Sequence, residues 1–515
     1  MSDYIKYFET RNDYEDYMCD IDKLLPNVSY CDDMKESYYE ALDKPLIVIY
    51  DVINIASPTT LFVDQSMASL FTHMMVDGVI VENVVNEYQF NEVGLHMVYF
   101  FLADQTSING LIFSNDYNDN RIISVRIPEG VTEIPGRCFL QCDKLISVTL
   151  PKTIVSIGNA SFGECESLVK IDIPNSVTTI VMNAFEHCSS LKSINIPNSV
   201  TSIGDGAFSQ CKDLSNISIG SGVTSIGGGA FSSCGGLKTI TVVSNNTVYD
   251  SRDNCNALIE TSTNKLIRGC QNTQIPNTVT TIGNWAFDTC RDLTSINIPN
   301  SVTSIGSYAF AHCTGLTSII IPNSVTTIGY EAFLYCSGLT NVTIGSGVTS
   351  IGNNAFQYCS GLTTINIPSG VTSIGDYVFQ GCSSLTSINI PNNVTSIGIY
   401  AFNGCSGLTS VNIPNSVTTI GQDAFSDCTN LTSVTIGTGI RNISSNAFSD
   451  CTQLNSVTVN AELPPTIEYD AFQNNALGRK IYVPANSVTL YQDADGWLEY
   501  ASDIQAIPSG GGSRI

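Results

Sequence analysis

The sequence predicts a mainly β fold: a solenoid of about fourteen stacked coils, preceded by a small all-β, sandwich-like domain. Three observations predict it. Cysteine recurs every 23 residues at Cys142, Cys165, Cys188, Cys211 and Cys234, and again from Cys290 to Cys451, so that thirteen cysteines share one phase. Phe stands three residues before each of them, from Phe139 to Phe448, and Leu three after, from Leu145 to Leu454. Between these anchors, short apolar and polar residues alternate with the period of a half-buried strand.

The unit can be followed element by element in Leu191–Cys211, LKSINIPNSVTSIGDGAFSQC. Ile194 and Ile196 flank polar Asn195, which makes a short strand with one inward face. Pro197-Asn198 breaks it with a turn. Val200, Ile203 and Gly204 make a second extended piece and a second corner. Ala207, Phe208 and Cys211 then point inward from an irregular or single-turn helical segment. One coil cannot bury these residues alone, but stacked neighbours can. The pairs Phe185 and Cys188, Phe208 and Cys211, Phe310 and Cys313, and Phe356 and Cys359 are therefore expected in the core. At a rise of ~4.8 Å per coil the array is a rod on the order of 60–70 Å long.

The L-x-x-I-x-I core closed by Cys resembles a leucine-rich repeat. More narrowly, the I-P-x-S-V-T-S-I-G-x-x-A-F-x-x-C unit is similar to the BspA-type (Treponema-type) leucine-rich repeat family over about 106–508. The resemblance implies a right-handed solenoid without catalytic residues, and roles in adhesion and surface recognition in bacteria and protists.

Ladder cysteines in a parallel stack are read as buried free thiols that pack as small hydrophobes. Disulfides between neighbouring coils are the alternative. A metal column fits less well, because tetrahedral ligands must converge and a stack does not. Cys19, Cys31, Cys138, Cys255 and Cys270 lie outside the ladder.

The solenoid is expected over 106–459, with an irregular long coil at 238–280. There Ala257–Glu260 and Lys265–Arg268 read as a hairpin around Thr261–Asn264, and Cys255 and Cys270 can face each other. The hairpin is either packed or a protruding binding loop. Thr106–Phe113 looks like a degraded first coil with Asp116 at the Cys position. Residues 460–508 hold a last coil and a capping helix, on which Val488, Tyr491, Trp497, Tyr500 and Ile504 recur at roughly helical spacing. Residues 509–515 form a flexible tail.

Residues 1–43 carry twelve acidic and four basic residues and seven tyrosines. They are expected to be an anchor to a larger assembly or a disordered leader, with a short helix before Pro26. The stretches FETRNDYEDYM and LPNVSYCDD resemble a leader on proteins of gut anaerobes and their tailed phages, which implies a virion or display without a Sec signal; no Sec-type signal peptide is visible. Residues 44–105 read as the small β domain, with strands LIVIYDVI and LHMVYFFL and a hairpin at Asp77-Gly78.

Lys and Arg number 22 against 47 Asp and Glu, a net charge of −25. Such a surface repels phosphate, so nucleic acid is not an expected partner. No run of about 18 apolar residues exists, so no membrane insertion is expected. The four histidines, His73, His96, His187 and His312, do not make a catalytic or metal constellation, and no nucleophile, P-loop or calcium-loop motif is present. No enzyme activity, cofactor or metal is expected. The outward strand positions Asn195, Ser218, Asn297, Thr343, Asn366, Asn389, Asn412 and Thr435 form neutral hydrogen-bonding rows. They reflect β propensity and solubility, or a platform for a host surface glycan or protein. The functional readings are a virion-associated or surface-displayed recognition protein, a secreted adhesin, or an intracellular interaction scaffold. A homo-oligomer is compatible with each.

Overall fold

A computed structural model describes residues 45–508, except 54, 57, 63–64, 82, 114–120 and 469. The expectations for residues 1–43, Asp116 and the tail 509–515 lie outside the described residues. The chain divides into two compact units, Met1–Thr178 and Thr179–Ile515.

The first unit opens with β1 (Leu46–Val52), β2 (Thr59–Thr60), β3 (Phe71–Val76), β4 (Val79–Val81), β5 (Glu87–Tyr88), β6 (Gly94–Leu102) and β7 (Ile122–Arg126). Asp77 and Gly78 join β3 to β4 with positive φ at both, 48° and 83°, the geometry of a two-residue hairpin that matches strand twist. Asp77 is held there by the backbone N–H of Met97 and by His96, 2.8 and 2.6 Å away. β6 pairs antiparallel with β3 and β1, and β1 pairs antiparallel with β7. β7 then runs parallel to Ser147–Thr149, and that strand to Lys170–Ile171.

The expected separate sandwich-like domain is instead a seven-stranded mixed sheet that continues into the first coils, with β2 and β5 as a two-stranded antiparallel sheet of their own. The physical reason is that both edges of β1 are used, one by β6 and the other by the solenoid strand β7. The apolar core is continuous as well. Phe71 and Phe100 lie 4.9 Å apart, Phe100 leads to Phe113 at 6.3 Å, and Phe113 stacks on Phe139 at 5.1 Å. Thr106–Phe113 does behave as a first coil: Ile108 and Leu111 are buried, and the Phe113 N–H donates to the Cys138 carbonyl at 2.7 Å.

In the second unit the coils repeat as the spacing requires. Ser193–Ile196, Asn216–Ile219 and Thr239–Val242 pair in parallel and in register. A second parallel row comes from the V-T-S-I segments, as in Thr281–Ile282, Ser304–Ile305 and Thr327–Ile328. The third side is the irregular turn carrying Ala, Phe and Cys. Each ladder Phe, Cys and Leu expected in the core is buried. The glycine closing V-T-S-I-G marks where coils touch: a Cβ on Gly329 would lie 2.5 Å from the Gly306 carbonyl carbon.

The irregular coil does not protrude. Leu258–Glu260 and Lys265–Arg268 form an antiparallel hairpin, and its second strand replaces a V-T-S-I strand by pairing with Thr281–Ile282. The coil supplies no Phe. A Cβ on Gly269 would sit 2.2 Å from the Phe287 ring, so the neighbouring ring closes over glycine. Arg268, 2 % exposed, fills the gap on the turn side and donates to the carbonyls of Trp285, Cys234 and Asp288 at 2.8, 3.0 and 3.1 Å.

The expected capping helix is also corrected. Only Val488–Gln492 is α-helical; Leu498–Asp503 is a 3-10 turn, and Ile504–Ala506 is a strand parallel to Lys480–Val483. Gly496, with φ 76°, breaks the helix between them. The aromatic residues still seal the end: Tyr491 and Trp497 are fully buried, and the Trp497 Nε1–H donates to the Pro465 carbonyl at 2.8 Å.

Candidate recognition surface

Chemistry must be sought outside, because the inside is spent on packing. Every described cysteine is a buried free thiol. Cys255 and Cys270 do not pair; the Cys270 thiol points to the Lys238 and Asn256 carbonyls. Among the described residues no group of three or more His, Cys, Asp or Glu side chains is placed to hold a metal ion. The Cys-His neighbours diverge as well. Cys313 donates inward to the Phe287 carbonyl at 3.1 Å, while His312 faces Asp288 at 3.5 Å and stacks on Tyr335.

The strand face carries the rows read from the sequence. Asn195, Asn297, Thr343, Asn366, Asn389 and Asn412 are exposed, and Ser218 and Thr435 are half-buried. Register places Asn195 beside Ser218, Asn366 beside Asn389, and Asn412 beside Thr435. Ile320, 68 % exposed, interrupts the row next to Thr343. The threonine columns on the other sides are already occupied. Thr326 Oγ1 donates to the Thr303 carbonyl at 3.2 Å, Thr395 to Thr372 at 3.1 Å, and Thr340 to Thr317 at 3.0 Å. A hydroxyl has one proton, so these columns tie coil to coil and offer only lone pairs outward.

The turn side holds a surface that the sequence reading passed over. Each coil has two residues at positive φ, five and one before the Cys position. Outside the middle coils these are mostly Asn, Asp, Gly, Gln or Glu, with Arg137, Ala160, His187 and Ser233 as exceptions. In the middle coils the first position carries Trp285, Tyr308, Tyr377 and Tyr400, and the second His312, Tyr335 and Tyr358. Trp285 stacks on Tyr308 at 5.8 Å and Tyr377 on Tyr400 at 5.1 Å. His312 stacks on Tyr335 at 5.3 Å and Tyr335 on Tyr358 at 4.7 Å. Tyr330 and Tyr335 are 44 % and 43 % exposed. The signal lay in the two variable positions between Gly and Ala-Phe and the two between Phe and Cys, which a consensus discards.

Carboxylates stand among these rings. Hydrogen bonding to Glu331 raises the hydroxyl pKa of Tyr330, and Asp423 does the same to Tyr400. From residue 292 to 440 there is no Lys or Arg. Four of the five acidic residues in that span, Glu331, Asp376, Asp423 and Asp427, fall on the turn segments.

A stack of coils with two rows of parallel β-strands, closed by buried Phe, Cys and Leu, is a leucine-rich-repeat solenoid. Residues 132–258, 264–386 and 372–494 match the BspA type leucine rich repeat region. The chain belongs to that family. It is 28 % identical to a leucine-rich repeat protein from Bacteroides ovatus, covering 73 % of this chain and 93 % of that one, with a TM-score of 0.49. It is 29 % identical to a leucine rich cell surface protein from Faecalibacterium prausnitzii, covering 66 % and 79 %, with a TM-score of 0.39. A leucine-rich repeat protein from Eubacterium ventriosum is 24 % identical over 71 % and 88 %, with a TM-score of 0.44. No curated protein matches the chain.

Proposed function

We propose that this is a non-enzymatic recognition protein of a cell or particle surface, whose repeat array contacts a host surface protein or glycan. The observation that carries the reading is the division of labour within each coil. Phe, Cys, Leu, Val and Ile are consumed by the stack, while the strand-face and left-handed turn positions, which vary from coil to coil, lie exposed or half-buried at the surface except at Asp423. The varying residue after each Phe is often buried with the core, as at Ser209, Asp288 and Leu334. Such a scaffold presents many modest contacts along its length, which suits multivalent attachment rather than turnover in one deep pocket. Membership of the BspA-type family supports the surface role. Residues 1–43, dense in charge and tyrosine, are the proposed anchor to a virion or other assembly.

The test uses labelled full-length protein on host cells, untreated or treated with protease or glycosidases. Saturable binding that one treatment removes is expected and names the ligand class. Absence of binding to any cell or particle overturns the reading. A chain starting at Lys44 that still assembles on the same particle overturns the anchoring role of 1–43.

A further inference from the structure

We infer that the turn face of coils 285–427 is a docking surface for an extended, arginine-rich segment of a partner protein. This deepens the recognition reading and rests on it. The fold needs a left-handed residue at each of the two turn positions, and Gly, Asn and Asp adopt that conformation at least cost. Neighbouring coils largely use them: Gly206, Gly229, Asn446, Asp450 and Asn474 all have positive φ, although Arg137, Ala160 and His187 hold it as well. The middle coils instead force Trp285, Tyr308, Tyr335, Tyr358, Tyr377 and Tyr400 into it, at φ of 54–59°. Bulky residues held there against backbone preference mark a site where something other than folding selects them.

The rings are arranged with gaps. In the first column Glu331 and Asn354 stand between Tyr308 and Tyr377. Successive coils are joined there by hydrogen bonds from Tyr308 N–H to the Tyr330 carbonyl, Glu331 to Asn353, and Asn354 to Asp376. The second column carries Tyr335 and Tyr358 on those same two coils, joined by the Tyr335 N–H donating to the Gln357 carbonyl. The break in one aromatic column is thus bridged by the other, and a carboxylate sits in the break.

Aromatic rings around carboxylates complement a cation, on a face whose one basic residue, Arg291, stands in its first coil and which has none over the next 149 positions (292–440). Guanidinium suits them best, because it stacks on rings and binds a carboxylate through two N–H groups. Two coil steps span about 10 Å, close to one three-residue turn of a polyproline-II-like extended chain at about 9 Å, so arginines at every third position share one face and meet every second coil.

The experiment measures binding of deca-arginine and of a length-matched Gly-Ser peptide to the full chain at physiological salt. The partner variant carries Tyr308→Asn, Tyr335→Asn, Tyr358→Asn and Tyr377→Asn. These changes leave the net charge untouched, so attraction by bulk charge is equal in both proteins. The expected result is deca-arginine binding that weakens about tenfold or more in the variant, with no fall in melting temperature. Equal affinity for both proteins, or no preference over the neutral peptide, overturns the proposal. If the variant does not fold, photo-crosslinking of deca-arginine to the unaltered chain decides: adducts on 285–427 support the proposal, and adducts elsewhere overturn it. Retention of sugar-dependent host-cell binding by the folded variant, with unchanged peptide affinity, sinks this proposal and leaves the recognition reading standing. Failure of the full chain to bind any cell removes that reading, while the peptide measurement still decides this one.

Discussion

The thiol of Cys336 donates to the carbonyl oxygen of Phe310, one coil before it, at 3.0 Å. That carbonyl also accepts the N–H of Cys313 at 3.2 Å. The same bond recurs from Cys359 to Phe333, Cys382 to Phe356, Cys405 to Phe379 and Cys451 to Phe425, at 3.1–3.2 Å. Cysteine is therefore retained as a small apolar group that brings a weak donor to a buried carbonyl. The last coil supports this: Asn475 occupies the Cys position and its Nδ2–H donates to the Phe448 carbonyl at 2.7 Å. Cys336→Ala removes the donor and part of the volume. Its expected cost is about 1–2 kcal/mol by urea unfolding. A variant as stable as the parent would deny the bond any energetic role.

Burial pushes the thiols of Cys290, Cys336 and Cys382 up from 9.0 to about 12. The sign follows from linkage. Between pH 9 and 12 the unfolded chain gives up these protons and the folded chain keeps them, so stability is full below pH 9 and falls as pH rises. Each such thiol contributes a slope of about 1.4 kcal/mol per pH unit. Steep alkaline unfolding above pH 9 is expected, with native thiols resistant to alkylation at pH 8. A flat stability curve to pH 11 would mean the ladder is accessible in the native state.

Phe310 lies between Phe287 and Phe333, at ring separations of 5.0 and 5.2 Å and nearly parallel. Phe310→Ala opens a cavity that two rigidly stacked neighbours cannot fill. A loss of about 3–5 kcal/mol is expected, read by urea unfolding. A loss below about 1 kcal/mol would show that the stack relaxes freely around single rings.

The ladder, the strand rows and the irregular coil were legible because each residue there obeys a fixed distance to the next Cys. What was not legible depends on pairings with no local period. β1 meets β7 across some 70 residues of chain, so the front looked like a separate sandwich. Trp497 and Tyr500 kept helical spacing, while Gly496 between them and Tyr491 turned the helix into a turn and an edge strand. The turn-face tyrosines escaped for the opposite reason: they occupy repeating positions, but only in the middle coils. Arg268 had no repeat partner at all, and only the stack shows that it plugs a missing Phe turn.

Arg268→Ala removes the charged donor from three carbonyls, those of Cys234, Trp285 and Asp288, leaving them only the Leu237 N–H, the Asp288 N–H and the Thr289 hydroxyl. Asp288 also loses the nearby cation while still accepting from the Ser233 N–H and hydroxyl at 3.1 and 2.9 Å. A loss of at least about 3 kcal/mol is expected. Because coils couple mainly to their neighbours, hydrogen exchange should rise first on either side of 234–290. Uniform exchange along the array, or an unchanged melting curve, would show that the hairpin coil is held by its apolar contacts alone.

The C-terminal cap gives the last test. Trp497 packs edge-on against Tyr491 at 4.9 Å and covers Phe472, the end of the ring column, at 6.4 Å. Arg479 lies over the Phe472 and Tyr500 rings and donates to the Phe472 carbonyl at 2.7 Å. It meets the acceptor that a further coil's thiol would have served. Trp497→Ala empties the centre of this lid and frees the Pro465 carbonyl. A solenoid end so exposed presents apolar side chains and strand edges to other chains. The expected loss is about 3–5 kcal/mol, together with concentration-dependent association by light scattering. If the variant stays monodisperse while losing that stability, Ile504–Ala506 alone protects the edge, and the aromatic lid serves only to stabilise the last coil.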